Sequence, residues 1–182
     1  YARNTLIIAV LGTLGTVTGN DIYDNGLGIS IDGDTPAVTA EIQNNVIADN
    51  GSGVAIDGGI GHRIVNNTIR QTAGDGISIA GGVTDAELRN NIVSIVDACG
   101  IRVADDSQVG FQSNHNVFHT EAGGIVGHWQ GADESTLVDW RFATFGDWDS
   151  LEADPLFVDP GTGNFHLQST VGSVETGAEI GR

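Results

Sequence analysis

Lysine and methionine are absent from this 182-residue chain, cysteine occurs once, at Cys99, and proline three times. Seven Arg stand against 24 Asp and Glu, for a formal charge of −17. That balance excludes a nucleic-acid partner, because binding a phosphate backbone takes a basic patch that displaces counterions. A lone cysteine excludes an internal disulfide. The apolar stretch Leu6 to Leu14 is too short to cross a bilayer and lacks a basic flank and a small-residue cleavage site, so no membrane span or signal peptide is expected there. A buried first strand is expected instead. The chain starts at Tyr1 without methionine and reads as a segment of something longer.

Hydrophobic residues make up 40% of the chain, enough for a core, and the 27 glycines show no collagen-like period, which assigns them to turns. Acidity without lysine keeps a protein soluble through self-repulsion that salt screens, a balance similar to that of halophilic proteins.

One pattern recurs five times. Its first half reads apolar-x-Gly/Asn-Asn-x-apolar: Val17 to Ile22, Ile42 to Ile47, Ile64 to Ile69, Leu88 to Val93, and a stretched copy from Phe111 to Phe118. Its second half reads Gly-apolar-x-apolar and begins at Gly28, Gly53, Gly76, Gly100 and Gly124, steps of 25, 23, 24 and 24 residues. Each repeat therefore holds two short alternating strands joined by Asn, Gly and Asp turns, with no stretch long enough for a crossover helix. Such repeats wind into a parallel β-helix. About five coils of ~24 residues are predicted, stacked about 4.8 Å apart. Ile29, Val54, Ile77 and Ile101 form one inward row, with Ile31, Ile56, Ile79 and Val103 beside it. Asn20, Asn45, Asn67 and Asn91 fall at one bend of successive coils and form a side-chain amide ladder. In the fifth coil either Asn114 or Asn116 continues it.

The repeats, followed by Ala153-Asp154-Pro155-Leu156-Phe157-Val158-Asp159-Pro160 and Gly163-Asn164-Phe165-His166-Leu167, resemble the right-handed parallel β-helix superfamily that includes the pectate-lyase-like proteins. Where related chains continue with Ser-Pro-Ala-Ile-Asp-x-Gly, this one has Ser173-Val174-Glu175-Thr176-Gly177. The resemblance implies an all-β fold and a secreted or cell-surface location, but no single activity. The predicted organisation is an amino-terminal strand or cap over 1–16, coils over 17–127, and an aromatic-rich cap or flap over 128–182. Nine of the 11 aromatics lie from Phe111 onward, where an open coil end needs cover.

For family lyases the resemblance implies calcium held by Asp carboxylates and an outward basic residue that removes a sugar C5 proton. Arg102 is the one long cation at the outward position of the second strand and is the candidate base. Arg63, Arg70 and Arg89 lie on the same or adjacent coils as candidate carboxylate-binding groups. Asp32 and Asp57 occupy equivalent places in successive coils with Asp34 nearby, and form a candidate calcium site. Trp129, Trp140 and Trp148 are candidate sugar-stacking residues. His115, His119 and His128 lack the spacing of a zinc site. The leading expectation is an extracellular structural or adhesive module of a larger surface or fibre protein, self-associating through its coil ends. The alternatives are a lyase or epimerase acting on an acidic polysaccharide, and a carbohydrate-binding module.

Overall fold

The structure, a computed structural model, describes residues 8–9, 14–33 and 38–168. Asp34 and the segment Ser173 to Gly177 lie outside the described residues. Successive repeats pair in parallel: Ile29 with Val54, Val54 with Ile77, and Ile77 with Ile101. The chain is a β-solenoid, with four turns between Ile29 and the strand that starts at Ile125.

Each turn carries three strands where two are predicted. The first sheet stacks Ile8–Ala9, Ile29–Gly33, Val54–Gly58, Ile77–Ala80, Cys99–Val103 and Ile125–Trp129. The second stacks Leu14–Thr18, Thr39–Gln43, Arg63–Val65, Glu87–Arg89 and Gln112–Asn114. The third stacks Asp21–Tyr23, Val46–Ala48, Thr68–Ala73, Ile92–Asp97, Val117–Thr120 and Leu151–Glu152.

The extra face comes from the Asn pairs, which break the first half of the repeat at its middle. In Asn44-Asn45, Asn66-Asn67 and Asn90-Asn91 the first residue takes a left-handed backbone, with φ of 56°, 58° and 55°. Asn tolerates that region at little cost, whereas a β-branched residue does not. Gly19 and His115 occupy the same place before Asn20 and Asn116. The bend turns the second Asn inward, where its Oδ1 accepts from both the backbone N–H and the side-chain amide of the Asn one coil earlier. These bonds run Asn20 to Asn45, Asn45 to Asn67, Asn67 to Asn91 and Asn91 to Asn116, all at 2.9 to 3.1 Å. Asn116 therefore continues the ladder, while the Asn114 amide donates to Asp149 on the surface.

A second polar row lies at the next bend, where Asp24 and Asp49 are left-handed. Asn25 donates to Asn50 Oδ1, and the Asn50 N–H donates to Gln71 Oε1. It ends there, because the next coil places Ile95 opposite Gln71. The inward apolar rows are buried on all three sheets. The glycines that open the first-sheet strands are not turn residues. A Cβ on Gly28, Gly53, Gly76 or Gly100 would lie under 3.0 Å from a carbonyl oxygen of the next coil, so only glycine admits this stacking distance. His62 is buried at another bend, where its Nδ1 accepts from the Ala40 N–H and its Nε2 donates to the Gly58 carbonyl.

The fifth coil departs from the repeat. Ile101 pairs with Gly127 and not with Ile125, and the inward residue of the second sheet is Ser113 and not Phe111. Gly127 is empty because the helix Leu137–Thr144 lays the fully buried Trp140 across it. Phe111, Trp129 and Trp140 pack together there, closing the apolar core. The hairpin of Phe157–Asp159 and Asn164–Leu167 lies on the outer side of the third sheet, with Phe157 and Phe165 against Tyr23, Val46 and Ile92.

Candidate functional site

Each sheet presents a different set of polar side chains to solvent, and Arg63, Arg70, Arg89 and Arg102 are divided among them. On the second sheet, outward residues of consecutive coils alternate in charge. Arg63 sits between Glu41 at 2.8 Å and Glu87 at 2.9 Å. Arg89, one strand position further along, reaches Glu87 only at 3.8 Å and is exposed. Beside it the loop that follows the capping helix forms the wall of a recess of about 260 Å³. Phe145 and Trp148 line this recess with Arg89, Gln112 and Asn114. Two residues named from the sequence for different reasons, Arg89 and Trp148, are thus brought to one place.

On the first sheet, Ser30, Ala55, Ser78, Arg102 and His128 are register partners along one outward row. Arg102 Nε donates to Asp75 Oδ2 at 2.6 Å, and that hydrogen bond raises the guanidinium pKa above its ordinary value. A base has to give up its proton before it can take one, and this pairing opposes it. His128 Nδ1 lies 2.6 Å from Asp133 Oδ1. Ser78, Arg102, His128, Asp105 and Asp106 surround a shallow cleft of about 520 Å³.

On the third sheet, Arg70 pairs with Asp49 at 2.9 Å. Arg70, Ser94 and His119 line a cleft of about 390 Å³ against the hairpin segment. Ser94 Oγ lies 3.3 Å and Glu121 Oε1 3.9 Å from the same ring nitrogen of His119. Both partners address Nδ1, so the three do not form a nucleophile-base-acid relay, which uses both ring nitrogens.

The sequence profile described as "Right handed beta helix region" matches residues 3–139, most of the chain. The chain belongs to the right-handed β-helix family. No curated protein and no solved structure matches it.

Two of the tryptophans expected on the surface of this β-helix are instead inside it. Trp140 is fully buried, with its indole donating to Asp147 Oδ2 at 2.8 Å, and Trp129 packs against it. Neither is open to a ligand; of the three, only Trp148 is. Asp32 and Asp57 are register partners, exposed and outward on the first sheet, but the next coil carries Ala80 in that row. Among the described residues no three His, Cys, Asp or Glu side chains converge; Asp34, the third member of the candidate site, lies outside them. Cys99 is buried, and burial pushes its thiol up to about 12. It is core and not nucleophile.

The second-sheet recess escapes a reading of the repeat because its aromatic wall comes from outside the repeat. The signal that finds it is Phe145. It occupies the left-handed C-cap of the helix, a place that favours glycine, yet its ring is 80% exposed.

Proposed function

We propose that this β-helix is an extracellular structural and adhesive module that closes one end of a longer solenoid. The observation that carries the reading is the difference between its two ends. At the carboxyl-terminal end Trp140 covers the core, Asp147 and Ser150 take the last ladder donors, and the antiparallel strand Ala132–Glu134 covers the edge of the first sheet. At the other end, among the described residues, the outer edges of Leu14–Thr18 and Asp21–Tyr23 pair with no strand. A free parallel edge accepts further coils, and nearest-neighbour stacking then stabilises both partners.

Adding coils before Leu14 that copy the single repeat Thr39 to Ile60, which begins at the register partner of Leu14, tests this. The extended chain is expected to melt at a higher temperature in one transition and to scatter X-rays as a longer rod. A chain that melts no higher, with the added coils unfolding separately, overturns the reading.

A lyase or epimerase acting on an acidic polysaccharide is a second reading, favoured by the first-sheet cleft. Arg102, fixed by Asp75, fits a carboxylate-binding role, and His128, paired with Asp133, fits the base. Ultraviolet absorbance of unsaturated ends, followed on alginate and pectate with and without calcium, tests the lyase form. Product that disappears in His128→Ala supports it; no product from the folded chain removes it.

A further inference from the structure

The exposed aromatic residues of this molecule concentrate on the cap. Phe142 is 66% exposed, Phe145 80% and Trp148 53%, whereas Trp140, Phe118, Phe157 and Phe165 are buried. Apolar surface gathered in this way marks a binding surface more often than a gap in the fold. The Phe145 ring loses twice for stability, through a left-handed backbone at φ 56° and through lack of burial. The indole beside it is held in place, with Trp148 Nε1 donating to the Phe145 carbonyl at 3.1 Å and its ring standing edge to face with Phe142 at 5.8 Å.

The groups facing these rings are planar and hydrogen-bonding. Among the described residues Arg89 has only its 3.8 Å approach to Glu87, whose other oxygen is taken by Arg63. Gln112 is exposed, and its side chain has no hydrogen-bond partner among the described residues. From the geometry we propose that this recess binds a pyranose ring of a glycan, stacked on Trp148 and Phe145, with Arg89 and Gln112 bonding its hydroxyls. Its 260 Å³ suits a sugar unit or two. A protein partner needs about 800 Å² of contact on each side, and an anionic membrane is repelled by a chain of charge −17 with no lysine. The inference names the ligand class for the adhesive part of the reading above and rests on it. The end-capping part is tested by the added coils, so the two can fail separately.

Titration of the full chain with cellohexaose, xylohexaose, mannohexaose and oligoalginate, followed by tryptophan fluorescence, tests it. The other two tryptophans are buried, so a saturable change reports Trp148. At least one sugar is expected to bind, with a tenfold or greater loss of affinity in Trp148→Ala and in Phe145→Gly. Phe145→Gly is also expected to melt at a higher temperature, since glycine suits the left-handed cap, an effect that a residue kept for stability would reverse. No saturable change with any of these sugars, or binding retained in Trp148→Ala, overturns the proposal. So does light scattering that shows a dimer dissolved by Trp148→Ala, which assigns the patch to a second copy of the chain.

Discussion

Asp147 ends the ladder that Asn116 carries: its Oδ1 accepts from the Asn116 side-chain amide at 2.9 Å. From Asn45 onward each amide in the row accepts at Oδ1 from the coil before and donates both to the next acceptor toward the carboxyl-terminal end and back to a backbone carbonyl, so the positive ends of the amide dipoles point at this carboxylate, much as a helix N-terminus points at an anion. Asp147 is fully buried, and its other oxygen takes the Trp140 indole N–H. One residue thus ties the last coil to its cap.

Asp147→Asn isolates this role, because Asn tolerates the left-handed φ of 55° found there. It replaces one acceptor oxygen with a donor that faces another donor. A loss of about 1–3 kcal/mol is expected in urea unfolding, from a buried donor left unpaired. Equal stability of the two chains would show that the ladder needs no anionic end.

The Asn pairs allow a contrast within one dipeptide. Asn67→Ala removes the acceptor for two buried donors of Asn45 and is expected to cost about 2–4 kcal/mol. Asn66 is exposed at φ 58°, so Asn66→Gly keeps the bend and is expected to stay within about 0.5 kcal/mol of the parent. Thermal melts of both variants check the assignment; equal losses would mean that the ladder Asn67 carries holds the coils no more than its exposed neighbour does.

The first-sheet rows and the Asn ladder were legible because the same residue types recur at one place in successive coils, which is what parallel stacking demands. The second polar row was not, because Gln71 replaces Asn and Ile95 then ends it. The third face was hidden for a related reason. The bends fall inside a motif that reads as one strand until the left-handed φ of Asn44 and Asn66 is known. Register in the fifth coil failed for want of a neighbour, since Gly127 is set by Trp140, which lies outside the repeat. The recess shares that difficulty: Arg89 belongs to a coil and Trp148 to the cap, and no periodicity links them.

Cys99 offers a probe of opening. With 1% of its surface exposed and a thiol raised to about 12 by burial, it is expected to stay unreactive toward a disulfide reagent at pH 8 and to react fully in denaturant. A rate in the native state close to that of a free thiol would show that the first sheet opens readily.

Stability is expected to fall on mild acidification through His62. Burial lowers its pKa below 6.5, so the folded state resists a proton that the unfolded chain accepts. The contribution is full above about pH 6.5 and is lost as the pH falls from there toward the lowered folded value, by up to about 1.4 kcal/mol per unit. His62→Gln, which cannot titrate, is expected to flatten this part of the stability profile between pH 7 and 5. An unchanged slope would assign it to another group.

Gly127→Ala tests the cap itself. A Cβ there would meet the Trp140 ring under 3.0 Å, and neither partner has room to yield: the strand is paired with Cys99–Val103, and the indole is fixed by Asp147. A cost of about 1–3 kcal/mol is expected from overpacking. Fluorescence should show Trp140 entering a wetter environment, because the ring moves out and the end of the core opens with it. Pairing with Trp140→Leu separates the clash from the loss of cover. A smaller side chain makes space for the alanine, so the double variant is expected to lose less than the sum of the single losses. Additive losses would mean that Gly127 is held by the strand and not by the indole above it.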